Sequence, residues 1–473
     1  MKRLSLLVLL TVTGVLLVVS GFAATGPIDR KIGLVKHDPN KAYQGYTLFA
    51  PKHNTTIHLL DMNGGEVNSW KSRYEPGQSV YLTEEGTLFH TCFMKGETNI
   101  AGGEGGRIEE FDWDGDMIWQ LDFRSKTWAQ HHDIAPMPNG NIVLLCVETK
   151  TKAECVQAGF SPEAVEKARG LVYAEWACEV EKIGSNKAEI IWEWHIWDHL
   201  IQDKYPDKDN YGVVGDHPEL LDPNAYRVIS TFWNHANGID YTPELDQVAI
   251  SARGQNEIWV IDASTTTEEA KSHKGGKCDK GGDLIYRWGN PVIYDRGHIF
   301  NDKQLYQQHD VQWIPKGYPG EGNITIFNNG GGRGWSTVDE IVPPVDKNGC
   351  YVLEEGKAFG PEKQVWTYQA ENKRDFYSEQ ISGAHKLLNG NALITSGTHG
   401  VLFEVTPEGE TVWEYVNPID GTGPLSQDQL IPIDHRGHAM ISVFKAHRYP
   451  LDYPAFKGKD MSVKKKSLVK GEY

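Results

Sequence analysis

The sequence predicts an all-β chain folded as a six-bladed β-propeller, and three patterns carry that prediction. First, a turn leading into a short strand that ends on tryptophan returns six times, at Trp70, Trp119, Trp192, Trp288, Trp366 and Trp413. The intervals of 49, 73, 96, 78 and 47 residues each hold a four-stranded blade of about 40–45 residues plus loops. Second, a histidine precedes an apolar hairpin in several copies. His132-Asp133 leads to Pro138-Asn139-Gly140-Asn141-Ile142, His309-Asp310 to Gly322-Asn323-Ile324, His385 to Asn389-Gly390-Asn391, and His235 to Val248-Ala249-Ile250. Asn-Gly between apolar runs is a strong hairpin signal. Third, the first copy supplies only three strands, from Gly45, Thr56 and Glu66, while the tail offers a spare one over 438–444. Setting that C-terminal strand in the N-terminal blade closes the ring and removes two sheet edges. Two packed β-sandwiches are the fallback architecture.

In chain order, Lys2 and Arg3 precede an uncharged apolar run, Leu4 to Val19, with small residues at Gly21 and Ala23. That is the pattern of a cleaved signal peptide covering residues 1–23; an uncleaved anchor is the alternative. The mature protein is expected to be periplasmic or secreted, with no membrane span after cleavage. An extension over 24–44 leads into a propeller over 45–456, and 457–473 form a basic tail. Helix is expected only at 161–168 and 197–202, in the enlarged third blade.

Composition narrows the function classes. The 15 Trp, 20 Tyr and 15 Phe exclude a disordered chain, and 49 Gly with 23 Pro favour tight turns. A net charge of −17 opposes a protein that coats nucleic acid, which needs a basic footprint. A local basic pocket for a small anion stays open. Six cysteines without Cys-x-x-Cys spacing offer no thiolate zinc motif. Cys155 and Cys178 flank one insertion and are the expected disulfide, with buried thiols as the alternative.

In a propeller the first strand of each blade lines the central channel, so the repeated histidines converge near one mouth. Trp233-Asn234-His235-Ala236-Asn237 and Ser251-Ala252-Arg253 add amides and a guanidinium, and Gln130-His131-His132-Asp133 nearly repeats Gln307-Gln308-His309-Asp310. Such a funnel suits a compact oxyanion. Recurrence also has a structural explanation, strongest for His385, that the imidazoles merely join strands. His195 and His199 have the i, i+4 spacing of metal ligands but lack the zinc-protease glutamate; packing is the preferred reading and no metal site is assigned. Gly330 to Gly334 lack a following Lys-Ser/Thr, so a loop in close backbone approach is expected in place of a phosphate loop.

From about Gly45 to Pro454 the chain resembles the bacterial arylsulfotransferases. The carriers are Gly45-Tyr46-Thr47-Leu48-Phe49, His131-His132-Asp133, Trp197-Asp198-His199-Leu200, Trp233-Asn234-His235-Ala236-Asn237 and Ser251-Ala252-Arg253. Gln308-His309-Asp310, Ser396-Gly397-Thr398-His399-Gly400 and His447-Arg448-Tyr449-Pro450 complete the set. The resemblance implies sulfuryl transfer from a phenolic sulfate ester to a phenol, by a ping-pong route through a sulfated histidine and without a nucleotide donor or cofactor. It implies His309 as nucleophile, His235 and Arg253 in the site, Asn237 as a substrate-orienting amide and Thr398 at its back. The upstream imidazole is His131 or His132; the internal repeat favours His132. Trp233, Trp313 and Tyr306 are candidates to stack on an aryl ring, with propeller core as the stronger reading. Some members carry a separate β-domain before the propeller. Only about twenty residues lie between signal and first strand here, so dimerisation is not carried over and the oligomeric state stays open. The rival readings are a non-catalytic propeller binding a protein or glycan, and a propeller hydrolase such as a sulfatase.

Overall fold

The computed structural model describes residues 28–96, 102–103, 105–225, 231–298 and 301–472. The signal segment read at 1–23 lies outside them. Six four-stranded antiparallel sheets follow one another around a ring, as expected. Blade 1 combines Val443–Pro450 with Gly45–Pro51, Thr56–Leu60 and Glu66–Lys71. The innermost strands of blades 2 to 6 are Pro76–Leu82, Trp128–Pro136, Ala236–Thr242, His309–Trp313 and Gly383–Lys386. The closing strand therefore does come from the C-terminus, but at Val443–Pro450 and not at 438–444. Asp434 caps a turn through the amides of Arg436 and His438, which keeps His438 out of the strand. Pairing then runs from Gly45 opposite Pro450 to Leu48 opposite His447.

The six tryptophans all lie on the fourth strand of their blades counted outward from the channel, and the structure gives their recurrence a cause. Each indole N–H donates to the following blade. Trp70 reaches Asp112 O at 2.8 Å, Trp119 reaches Lys187 O at 3.1 Å and Trp192 reaches Thr265 Oγ1 at 3.0 Å. Trp288 reaches Pro361 O at 2.8 Å and Trp366 reaches Pro407 O at 2.8 Å, and Trp413 closes the circle on Met62 O of blade 1 at 2.9 Å. One side chain per blade thus fills the gap between sheets and satisfies an acceptor there, a carbonyl in five cases and the Thr265 hydroxyl in one.

Both termini pack on the ring. Gly33–His37 adds a fifth strand outside blade 6, and Leu468 and Val469 are buried. Pro162–Lys167 is helical with Ser161 as its N-cap. The second expected helix reduces to one 3₁₀ turn, Ile196–Asp198, because backbone bridges tie Leu200 to Leu221 and Gln202 to Tyr211. The cysteine pairing expected from the insertion is also corrected. Cys278 and Cys350 form the disulfide, joining the long loops of blades 4 and 5, while Cys155 and Cys178 are buried thiols. Cys155 faces the blade 3 core from a short helix, and Cys178 lies in a separate cluster with Cys146. Among the described residues no helix is long and apolar enough to cross a membrane.

The tryptophan circle generates a stability prediction. Trp413→Phe strands the Met62 carbonyl in a fully buried position and should cost about 1–3 kcal/mol, the penalty for an unsatisfied buried acceptor. Trp366→Phe, at a partly exposed contact, should cost less, since water can replace the donor. Urea unfolding midpoints of the two variants test the ranking.

Candidate active site

A cavity of about 570 Å³ opens at one mouth of the channel. His132, His235, His309, Arg253 and Thr398 all border it. Phe444 of the closing strand lies behind two of them, its ring centroid 6.2 Å from His132 and 6.4 Å from His309. Four of the repeated histidines are thereby separated into two kinds. His132, His235 and His309 face the cavity. His385 is buried elsewhere, stacked 5.5 Å from His447 and accepting the Arg448 amide, which is the strand-joining role.

Local backbone explains why these side chains point inward at the rim. His132 (φ 52°), His235 (φ 45°) and Asp310 (φ 53°) occupy the left-handed region. Ladder register shifts accompany them in blades 3, 4 and 5. A bulge at the start of a strand turns a side chain that would lie between sheets toward the channel mouth. In blade 4 the strained turn is held by Glu175, whose carboxylate accepts the Asn234 amide and the Ala236 N–H, both at 3.0 Å.

The alternative between His131 and His132 resolves in favour of His132 at the cavity, with His131 behind it and their Nδ1 atoms 2.7 Å apart. Gly103 lies directly over His132: its carbonyl accepts the His132 N–H at 2.8 Å, and a Cβ there would collide with the imidazole. Arg253 donates to Gln307 Oε1 at 3.0 Å. The glycine-rich loop is in the close approach expected of it, since a Cβ on Gly331 would strike that same Gln307 side chain. Thr398 contacts the hydroxyl of Ser378.

Four sequence candidates stand outside the cavity wall. Asn237 is buried and spends its amide donor on the Gln308 carbonyl at 2.9 Å, bracing blade 4 against the residue before His309. Trp233 packs against Phe160 in the core and does not reach the cavity, so its flanking position in sequence misleads: both residues precede the strand Ala236–Thr242, and the left-handed backbone at His235 (φ 45°) breaks the period that would put i and i+2 on one face. Trp313 is likewise core, and Tyr306 sits under Arg333. The cavity also takes residues that sequence reasoning did not single out, including Gln78, Gln380, Arg436 and His438. His438 is ion-paired with Glu379. Gln78 lies in the innermost strand of blade 2, and the other three come from loops without a repeated pattern.

Burial and mutual repulsion keep the imidazoles neutral. Desolvation, then Arg253, push His235 down to about 3. The same two causes hold His309 well below 6.5. His132 is depressed by burial and by its neighbouring imidazoles, and His131 falls to about 4 by burial. Among the described residues two groups could in geometry hold a metal, His90–Cys92–Glu109 and His199–His273–Asp283. None of their members borders the cavity. His195 and His199 do not share a helical face: His195 ends a strand beside Glu148, and His199 is buried against Asp283.

The architecture and the site together define a propeller with a mouth of buried imidazoles beside the Arg253 guanidinium. The arylsulfotransferase (ASST) family model matches residues 78–421, and the chain belongs to that family. Arylsulfate sulfotransferase AssT of Escherichia coli O6:H1 is 28% identical over 203 residues, which span 40% of this chain and 31% of that protein. Among solved structures, a protein of unknown function from Bacteroides caccae is 11% identical with a TM-score of 0.44, covering 86% of this chain and 100% of that one. A streptogramin B lyase is 10% identical with a TM-score of 0.38, covering 90% and 96%.

The depressed histidines set a pH dependence of stability. A histidine neutral in the fold but free to protonate when unfolded stabilises fully above about pH 6.5 and loses that contribution as pH falls toward the folded value. Glu175 and Asp240, raised by burial to about 7, act oppositely, favouring the fold at low pH and losing that as pH rises toward 7. With more depressed histidines than raised carboxyls, thermal midpoints should fall between pH 6.5 and 4.5. The fall should be shallower in His235→Asn, as scanning calorimetry across that range would register.

Proposed function

We propose that the protein is an aryl-sulfate sulfotransferase that moves a sulfuryl group from a phenolic sulfate ester to a phenol through a sulfated His309, without a nucleotide donor. The observation that carries the reading is a neutral, buried imidazole beside a guanidinium at the mouth of the cavity. Neutral imidazole is a nucleophile near pH 7. A sulfate ester is a monoanion, so Arg253 and the polar rim supply the attraction that draws it into an otherwise desolvated pocket.

In the first half-reaction the His309 lone pair attacks sulfur, the S–O bond to the aryl group breaks, and the electron pair leaves on the phenolate oxygen. Arg253 forks onto the sulfuryl oxygens as charge shifts toward the leaving group. His235, neutral to about pH 3, offers that oxygen an N–H hydrogen bond. In the second half-reaction an acceptor phenol attacks sulfur, and its proton passes to His235 or His132 as the N–S bond breaks. The histidine then gives that proton up to solvent, where it balances the phenolate released in the first half-reaction, so the exchange closes without redox chemistry. Phenolate is a competent leaving group, and no step calls for a metal. The apolar run at the N-terminus and the Cys278–Cys350 bridge support a periplasmic or secreted location.

Turnover of a chromogenic aryl sulfate tests this. Phenolate release should require an added phenol, persist with chelator present, and drop to background in His309→Ala. Arg253→Lys keeps the charge but loses the fork, and should lower kcat by about 10²-fold. Release without an acceptor would mean that water takes the sulfuryl group at the same site, a sulfatase. Undiminished transfer by His309→Ala, or loss of turnover on metal removal, would overturn the mechanism.

A further inference from the structure

His309 is held at both ring nitrogens, and its partners are of opposite kinds. Nδ1 lies 2.7 Å from the side-chain oxygen of Asn329, and Nε2 faces the Ile381 N–H at 3.1 Å. Asn329 is fully buried at the end of the second strand of blade 5. Its amide nitrogen donates to two carbonyls, Ser378 O at 2.7 Å and Ile381 O at 2.9 Å. Flipping the carboxamide would set its oxygen against both carbonyls and its NH₂ against the ring. The hydrogen-bond inventory therefore leaves one orientation, with the oxygen toward His309. An amide oxygen only accepts, so Nδ1 carries the proton. The Ile381 N–H only donates, so Nε2 carries the lone pair. Two independent partners specify the same tautomer.

We propose that Asn329 is a positioning residue that locks His309 in the Nδ1–H tautomer and thereby directs the sulfuryl group to Nε2. The proposal rests on the sulfohistidine reading and adds to it the atom and the device that selects it. In the step it describes, the Nε2–S bond forms as the aryl S–O bond breaks, the electron pair leaves on the phenolate, and the proton stays on Nδ1, still donated to Asn329. The ring becomes a sulfated imidazolium. A neutral acceptor orients that cation without taking its proton or trapping it, whereas a carboxylate would stabilise it and raise the basicity of His309. The segment carrying Ile381 is the strained one in blade 6, with Ile381 at φ 48° and Ser382 at φ 104°. A β-branched residue rarely adopts such a backbone, and here it is what brings an N–H to Nε2. That N–H parts from Nε2 as sulfur arrives and is then beside the acquired oxygens.

The test uses the full chain labelled with ¹⁵N-histidine, the His309 signals being assigned by difference from His309→Ala. Two-bond ¹H–¹⁵N correlations at pH 7 should give the Nδ1–H pattern in the wild type and a tautomer mixture in Asn329→Ala. Phenolate release in a single half-reaction should slow by about 10²-fold in Asn329→Ala with KM changed little. Asn329→Asp should keep the tautomer while moving the acid limb of kcat/KM upward by about one pH unit or more. A wild-type Nε2–H pattern overturns the proposal even if no variant folds. So does an Asn329→Ala protein with an unchanged tautomer and pH profile, which would leave Asn329 purely structural. Full transfer by His309→Ala is a different failure: it removes the sulfohistidine, and with it the Nε2 step, whatever the tautomer signature.

Discussion

The charge of Lys445 is the pin on which both ring and site depend. It projects from the closing strand into the channel, fully buried, with Nζ 2.8 Å from Asp133 and 3.2 Å from Asp310. The two carboxylates hold its proton on against burial. Each aspartate directly follows a cavity histidine, so one ammonium group ties His132 of blade 3 and His309 of blade 5 to the C-terminal strand of blade 1. The same carboxylates reach sideways: Asp133 accepts the Ile239 N–H of blade 4 and the Tyr81 hydroxyl of blade 2, and Asp310 accepts the Ala384 N–H of blade 6. Every blade meets at this cluster. A buried ion pair contributes little net stability over an apolar replacement, so its consequence lies in geometry. The inner strands can close the ring in only one register if each carboxylate is to find its partners.

The outer rim solves a different problem with a different residue. Sheets arranged radially diverge with distance from the axis, and the widening gap needs a large side chain that can also satisfy the carbonyl it approaches. Tryptophan meets both needs, which is why one recurs per blade and why its N–H always reaches forward. Channel and rim are therefore complementary constraints. Charge near the axis sets register where strands are close, and aromatic volume at the periphery sets spacing where they are far apart. The bulged strand starts lie between the two, at the mouth, where neither constraint forces regular pairing. That is where His132, His235 and His309 could depart from strand geometry at tolerable cost.

This division also decides what could be read from the sequence. Trp70 through Trp413 recur because each answers a need repeated in every blade, the His-Asp pair recurs in blades 3 and 5 because both aspartates meet Lys445, and recurrence is visible without a structure. The closing strand was legible as a deficit at one end and a surplus at the other, but its bounds were not. Lys445 and Arg448 interrupt the apolar alternation that marks a strand, because their charges are satisfied by partners more than forty residues away in sequence. Asn329 was hidden for a similar reason. It sits beside Gly330, where it reads as a turn residue, and its three partners belong to strands and loops that meet only in the fold. Trp233 failed in the opposite sense: proximity to His235 in sequence suggested a shared site, but both precede the strand, and the left-handed turn at His235 sends the imidazole to the mouth while the indole packs in the core. The Cys278–Cys350 bridge joins two insertions of unrelated length, for which spacing carries no information.

The electrostatics of the mouth follow from the same architecture. Blades 3, 4 and 5 each deliver a histidine from a bulge at the channel rim, so three imidazoles converge in buried surroundings. Convergence alone makes protonation costly, and Arg253 makes it costlier. A cluster of side chains that elsewhere would hold charge is thus kept as a set of lone pairs and N–H donors beside the Arg253 guanidinium. For chemistry that shifts negative charge from a sulfuryl group to a phenolate, imidazoles uncharged at rest can donate or take up a proton as that charge moves. A permanently cationic ring would bind the anion equally well before and after transfer and so would not lower the barrier between them.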